Sequence, residues 1–235
     1  MSEEKNNLTQ DKNKNKGFVM GIVSTLAIVG IIGSVVFGIL YLKGKNTIDN
    51  NQPINDAGDT VAEEKIDMVI TDADHVLGNK DAKIKIFEFS DVQCPYCARF
   101  HTVMHQIVEE YPNDVAWIYR QFPIQSHPLG LPGAIALECA AGQGKFWEMS
   151  DLIFNNQDTL AESSFVQFAT DISLDIDAFN ACMSDNPYMD KISGDYQLGI
   201  SSGVQGTPSS FVNGQIVPGA LPYESMKKII DELLK

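Results

Sequence analysis

Two cysteines stand two residues apart in "FSDVQCPYCARF", residues 89–100. Cys94 and Cys97 follow a strand-like run and open a helix-like one, with Pro95 and Tyr96 between them. Three kinds of chemistry fit thiols so placed: a redox couple, half of a metal site, or two buried thiols without a reaction. Pro95 suits the first helical position, where its missing N–H costs no hydrogen bond. The free N–H groups of that helix end, and the positive end of its dipole, then face the Cys94 sulfur and favour thiolate. Cys97 falls almost one turn deeper, within disulfide reach but less exposed. On this reading Cys94 attacks or is attacked, and Cys97 resolves the mixed disulfide.

A metal site would need two further ligands. Cys139 and Cys182 stand singly, without ligand spacing to each other. His101 and His105 are four apart on the helix after Cys97 and read as ordinary helix-surface residues, since no carboxylate or cysteine nearby in sequence completes the set. No metal site is expected. Two inert thiols would leave the proline and the helix start unexplained, so the redox couple is preferred.

The surrounding pattern supplies the elements that must hold these thiols. "KIKIFEFS" (83–90) is apolar on both faces, as central parallel strands are. A helix runs from the cysteines to about residue 111, and "DVAWIYRQF" (114–122) reads as the next strand. Strand, helix, strand at this spacing is a βαβ unit with a parallel pair. Residues from about 127 to 203 read as helical, in stretches such as "GAIALECAAG", "GKFWEMSDLIFNN" and "IDAFNACMSD". "SSFV" and "QIVP" flank Asn213-Gly214, which predicts a hairpin with a type I′ turn. The amphipathic stretch "YESMKKIIDELL" ends the chain. The fold class is therefore α/β.

Residues 18–42 contain no charge over 25 positions, enough to cross a hydrocarbon core of roughly 30 Å. The run is too long for a signal-peptide centre and lacks a small-residue exit, so it reads as one uncleaved transmembrane anchor. Lys5, Lys12, Lys14 and Lys16 precede it, while only Lys43 and Lys45 follow closely. The positive-inside rule puts residues 1–17 in the cytoplasm and the rest outside. Residues 43–66 are polar and read as a flexible tether, and residues 67–235 suit one domain. Beyond residue 46 there are 28 Asp and Glu against 11 Lys and Arg, a net −17 that repels phosphate backbones and excludes nucleic acid as a partner. The outside space is oxidising, so cysteine pairs persist there as disulfides.

"FEFSDVQCPYC" (87–97), followed much later by "GVQGTPSSFVNG" (203–214) and "VPGA" (217–220), resembles the DsbA-like family of thiol:disulfide oxidoreductases. The resemblance covers about residues 68–235 and implies a thioredoxin fold with an inserted helical subdomain. It implies that Thr207–Pro208 is a cis-proline loop facing the sulfurs, with the Thr207 backbone pairing an extended substrate peptide. It also implies that Glu88, in phase with Ile84 and Ile86, is a buried acid that moves protons for Cys97. Pro95-Tyr96 is the dipeptide that tunes the potential, and it lacks the histidine of strongly oxidising members. Two spare cysteines in one helical subdomain, Cys139 and Cys182, are expected to pair as a structural disulfide in the oxidising space.

The function that follows is disulfide formation in exported, thiol-containing proteins at the extracytoplasmic side of a bacterial cell membrane. No cofactor beyond the redox-active disulfide is implied, the protein is expected to be monomeric, and a membrane quinone-linked thiol oxidase would reoxidise it. An envelope disulfide reductase or isomerase is the enzymatic alternative. A membrane-tethered thiol metallochaperone is the alternative from another class.

Overall fold

The computed structural model describes residue 66 and residues 68–235. The expected anchor (18–42), the segment before it and nearly all of the tether lie outside the described residues. Among the described residues no helix is long and apolar enough to cross a membrane.

The described chain runs β1 (His75–Gly78), β2 (Ile84–Ser90), α1 (Pro95–Glu110) and β3 (Val115–Gln121). Then come α2 (Gly130–Ala141), α3 (Phe146–Asn155), α4 (Glu162–Asp171), α5 (Ile176–Asp185) and α6 (Met189–Ser201). The hairpin β4 (Ser209–Val212) and β5 (Gln215–Pro218) and the helix α7 (Tyr223–Leu233) complete it. The strands form one sheet in the order β1-β3-β2-β4-β5. β2 and β3 are parallel, as the crossover through α1 requires, and the other pairs are antiparallel.

The apolar character of β2 on both faces has its cause in this topology. Ile84 and Ile86 face a core with Phe100, Met104 and Ile107 of α1, Met226 and Ile230 of α7, and the helical insertion. Phe87 and Phe89 face the other side with Phe122, Val204 and Phe211. α6 covers that second face, and its Gly199 lets it sit close: a Cβ there would lie 2.7 Å from the Phe122 ring and 2.9 Å from that of Phe89. The β4–β5 turn has φ +48° at Asn213 and +84° at Gly214, both positive as in a type I′ turn.

β1 was not legible in the sequence, and its anchoring explains why. It is four residues long and only partly buried, and polar contacts beside it fix it as much as apolar ones. Arg120 of β3 pairs with Asp74, just before β1, and with Asp195 of α6, each at 2.9 Å. His75 Nε2 lies 2.9 Å from Glu138 of α2, which also accepts from Gln121 Nε2 at 2.8 Å and pairs with Lys191 at 3.1 Å. These partners come from three separate elements, so each buried charge is matched and the desolvation cost of burying it is offset.

Cys139 of α2 and Cys182 of α5 are joined by a disulfide, with their Cα atoms 5.8 Å apart. The insertion is thus closed on itself before α6 returns to the sheet.

Candidate active site

The thiols sit where β2 gives way to α1. Cys94 takes the N-cap position with extended backbone (φ −75°, ψ 120°), and Pro95 follows at the helix start. No side chain caps this helix end, so the backbone N–H groups of Tyr96 and Cys97 are left for the Cys94 sulfur. Both thiols are free, and both are buried, Cys97 completely.

The two sulfurs differ sharply in acidity. A hydrogen bond from Cys97 is the largest influence on Cys94. It outweighs the opposing effect of burial and, with help from the backbone N–H groups, lowers the Cys94 thiol from 9.0 to about 5. The Cys94 S–H reaches the Thr207 carbonyl at 3.3 Å, while the buried Thr207 hydroxyl, with no other partner among the described residues, is placed to donate to the thiolate. Cys97 moves the other way, well above 9.0, because it is buried and because its S–H donates a hydrogen bond to the Cys94 sulfur. At neutral pH one proton is therefore held by Cys97 and one negative charge by Cys94.

The structure brings the remaining predicted residues to the same place. The Thr207–Pro208 peptide bond is cis. Glu88 is buried beside the thiols; burial raises its carboxyl to about 7, against the opposing influence of the Ser90 hydroxyl and a hydrogen bond from Trp117 Nε1 at 2.8 Å. Its charge is among those that push Cys97 up. Tyr96 is the exposed member of the motif at 55%, with the Arg99 guanidinium 4.5 Å from its ring centre. A groove runs along Tyr96, Arg99, Phe154 and Gln157, and a second is lined by Gly206, Thr207, Pro208 and Pro218.

Sequence reasoning missed the residues that brace this loop. The Asp91 carboxylate is buried and accepts the N–H groups of Gln93 at 2.7 Å and Ile124 at 2.6 Å. The Asp91 N–H points at the Cys97 sulfur (3.5 Å), and its carbonyl accepts the Cys94 N–H (3.1 Å). Gln157, in the short 3-10 turn after α3, donates to the Val92 and Cys94 carbonyls at 2.7 and 3.0 Å. Asp91 stands in the quoted motif itself, three residues before Cys94, and that proximity was its one sequence signal. Gln157 gave none, because its contact spans 63 residues.

One expectation is corrected. His101 is not a helix-surface residue: it is 4% exposed, packed against Phe154 and Trp117. Asp151 of α3 meets both His101 and His105, so a carboxylate does complete the set, supplied by an element 46 residues further along the chain.

A family model described as thioredoxin matches residues 70–232. The chain is similar to alpha-DsbA1 of Wolbachia pipientis, with 27% identity and a TM-score of 0.65 over 71% of this chain and 93% of that one. It is similar to the catalytic domain of Proteus mirabilis ScsC, with 26% identity and a TM-score of 0.61 over 69% and 89% of the two chains. The chain belongs to the DsbA-like thioredoxin-fold family of thiol:disulfide oxidoreductases. A thioredoxin-like oxidoreductase of Silicibacter pomeroyi matches comparably, at 26% identity and TM-score 0.62 over 69% of this chain and 92% of that one. Among curated relatives, an Na(+)/H(+) antiporter NhaA 3 of Salinispora tropica is 33% identical over 160 residues. That match takes in 68% of this chain but only 24% of the antiporter, so the chain spans about a quarter of that relative.

Proposed function

We propose that this DsbA-like protein is an oxidase that introduces disulfides into exported proteins, held at the outer face of a bacterial cell membrane by residues 18–42. Residues 67–235 are the catalytic domain and residues 43–66 the tether. The observation that carries the direction is the Cys94 thiol at about 5. A thiolate stabilised to that degree favours the reduced enzyme, which makes the disulfide form the stronger oxidant.

The steps follow from the split acidity. A substrate thiolate attacks the Cys94 sulfur of the oxidised enzyme; the Cys94–Cys97 bond breaks and its electron pair goes to Cys97. Cys97 is a poor leaving group as a bare thiolate, and Glu88, at about 7, supplies the proton. A second substrate thiolate then attacks the substrate sulfur of the mixed disulfide. The pair returns to Cys94, a good leaving group because its thiolate is stable. The substrate loses two electrons and the enzyme gains them; a membrane quinone-linked thiol oxidase would take them away. Thr207 would bind the substrate as an extended strand beside the sulfur, and no cofactor other than the disulfide takes part.

Equilibration of the Cys94/Cys97 pair with glutathione tests the direction. An oxidase should give a potential above about −200 mV, while a value near thioredoxin's, about −270 mV, would make the protein a reductase.

A further inference from the structure

One helical turn along α1 from Cys97, three ligand-type atoms converge on one point. His101 and His105 lie one turn apart on α1, and Asp151 faces them from α3. Asp151 Oδ1 is 2.7 Å from His101 Nε2 and 2.9 Å from His105 Nε2, and the two Nε2 atoms are 3.1 Å apart. As hydrogen bonds alone this triangle is poorly satisfied. Each Nε2 that donates to the shared oxygen must carry a hydrogen, and the two hydrogens then crowd each other across the short Nε2–Nε2 edge. A ring that turns its lone pair inward instead faces the carboxylate oxygen with no proton between them. A cation satisfies all three lone pairs at once.

We propose that His101, His105 and Asp151 form a binding site for a divalent transition-metal ion. An ion placed roughly 2.1 Å from each atom would sit about 1.3 Å out of their plane and subtend angles of roughly 80–95° between them. That is one face of an octahedron, leaving the opposite side open. Two imidazoles and a carboxylate, without thiolate, suit Zn²⁺, Co²⁺, Ni²⁺ or Cu²⁺ rather than Cu⁺ or Mg²⁺.

The surroundings have the layout of a one-sided site. The His101 side chain is 5% exposed, and its Nδ1 has no partner among the described residues, so Nε2 is its polar anchor. The side chains of His105 and Asp151 are 36% and 43% exposed and give an ion its way in from solvent. Phe154 and Trp117 wall the inner side, 4.6 and 5.3 Å from the His101 ring centre, and Trp147 stands 6.3 Å from that of His105. Trp117 and Trp147 are the only two tryptophans of the chain.

Their placement supplies the readout. Full-length protein carrying Cys94→Ser and Cys97→Ser, so that the motif cannot take metal, is stripped with chelator and titrated with Co²⁺ and with Zn²⁺. One equivalent should bind, Co²⁺ should quench the tryptophan emission, and Zn²⁺ should displace it. His105→Ala and Asp151→Asn, both partly exposed positions that leave the core intact, should each weaken binding by roughly tenfold or more, with circular dichroism unchanged. The proposal is overturned if the parent protein takes up neither ion at millimolar concentration. It is equally overturned if both folded variants bind as tightly as the parent.

Discussion

Trp117 Nε1 donates to Glu88 Oε2 at 2.8 Å across neighbouring parallel strands, both side chains fully enclosed. The bond fixes which way the carboxylate points and favours its charged form. Burial opposes that and wins, leaving the group at about 7. A carboxyl poised there can give and take a proton at neutral pH, which a carboxyl at its ordinary 4.5 cannot do.

Glu88→Gln should therefore slow every step in which Cys97 gains or loses its proton, most visibly the first attack on the oxidised enzyme, in which Cys97 is the leaving group. It should also stabilise the fold in a pH-dependent way. Because the folded-state value lies above the unfolded one, the native protein holds this proton more tightly; the benefit is complete below about 4.5 and is lost as pH rises through about 7. The loss approaches roughly 3 kcal/mol above that window. Melting curves from pH 4 to 8 should show the variant gaining on wild type as pH rises; parallel curves would mean that Glu88 is not buried as a neutral acid.

Cys97→Ala should raise the Cys94 thiol towards 9.0, since the hydrogen bond from Cys97 is the largest cause of its depression. Thiolate absorbance at 240 nm, followed against pH, measures this directly. Cys94→Ser should abolish exchange, and Cys97→Ser should accumulate mixed disulfides on Cys94. A Cys94 titration unchanged in Cys97→Ala would shift the cause to the helix end alone.

What the sequence disclosed was what is local in the chain. β2, α1, β3 and the β4–β5 hairpin were readable because apolar period, Pro95 and Asn213-Gly214 act within a few residues of themselves. β1 was hidden because the ion pairs of Arg120 with Asp74 and Asp195 and the contact of His75 with Glu138 hold it, and no local period records them. The same holds for Asp151, whose meeting with His101 and His105 depends on how α3 docks on α1. Glu88 stood out only because a charge in phase with Ile84 and Ile86 breaks an otherwise apolar face.

Replacing Cys139 and Cys182 together with Ala should destabilise the protein without stopping exchange. The bridge joins positions 43 residues apart, and closing a loop of that size restrains the unfolded chain by about 4 kcal/mol in the entropy model. Denaturant melts of the oxidised parent and the double variant measure the loss. A folded variant without any exchange activity would mean that this bridge takes part in the chemistry.

Asp91 should matter more to the fold than its place beside the motif suggests. Its carboxylate accepts two backbone N–H groups, one from the loop before Cys94 and one from the segment after β3. Its own backbone reaches both cysteines. Asp91→Ala leaves two donors without an acceptor, at a cost of roughly 2–5 kcal/mol. Asp91→Asn keeps the shape but turns an NH₂ group towards an N–H whichever way the amide lies, so it should rescue little. Once the loop is loosened, Cys97 should lose its protection, and native-state alkylation of the reduced protein should reach it faster in both variants. Unchanged urea midpoints together with an unchanged Cys97 alkylation rate would show that the loop is held by Gln157 and the helix start instead.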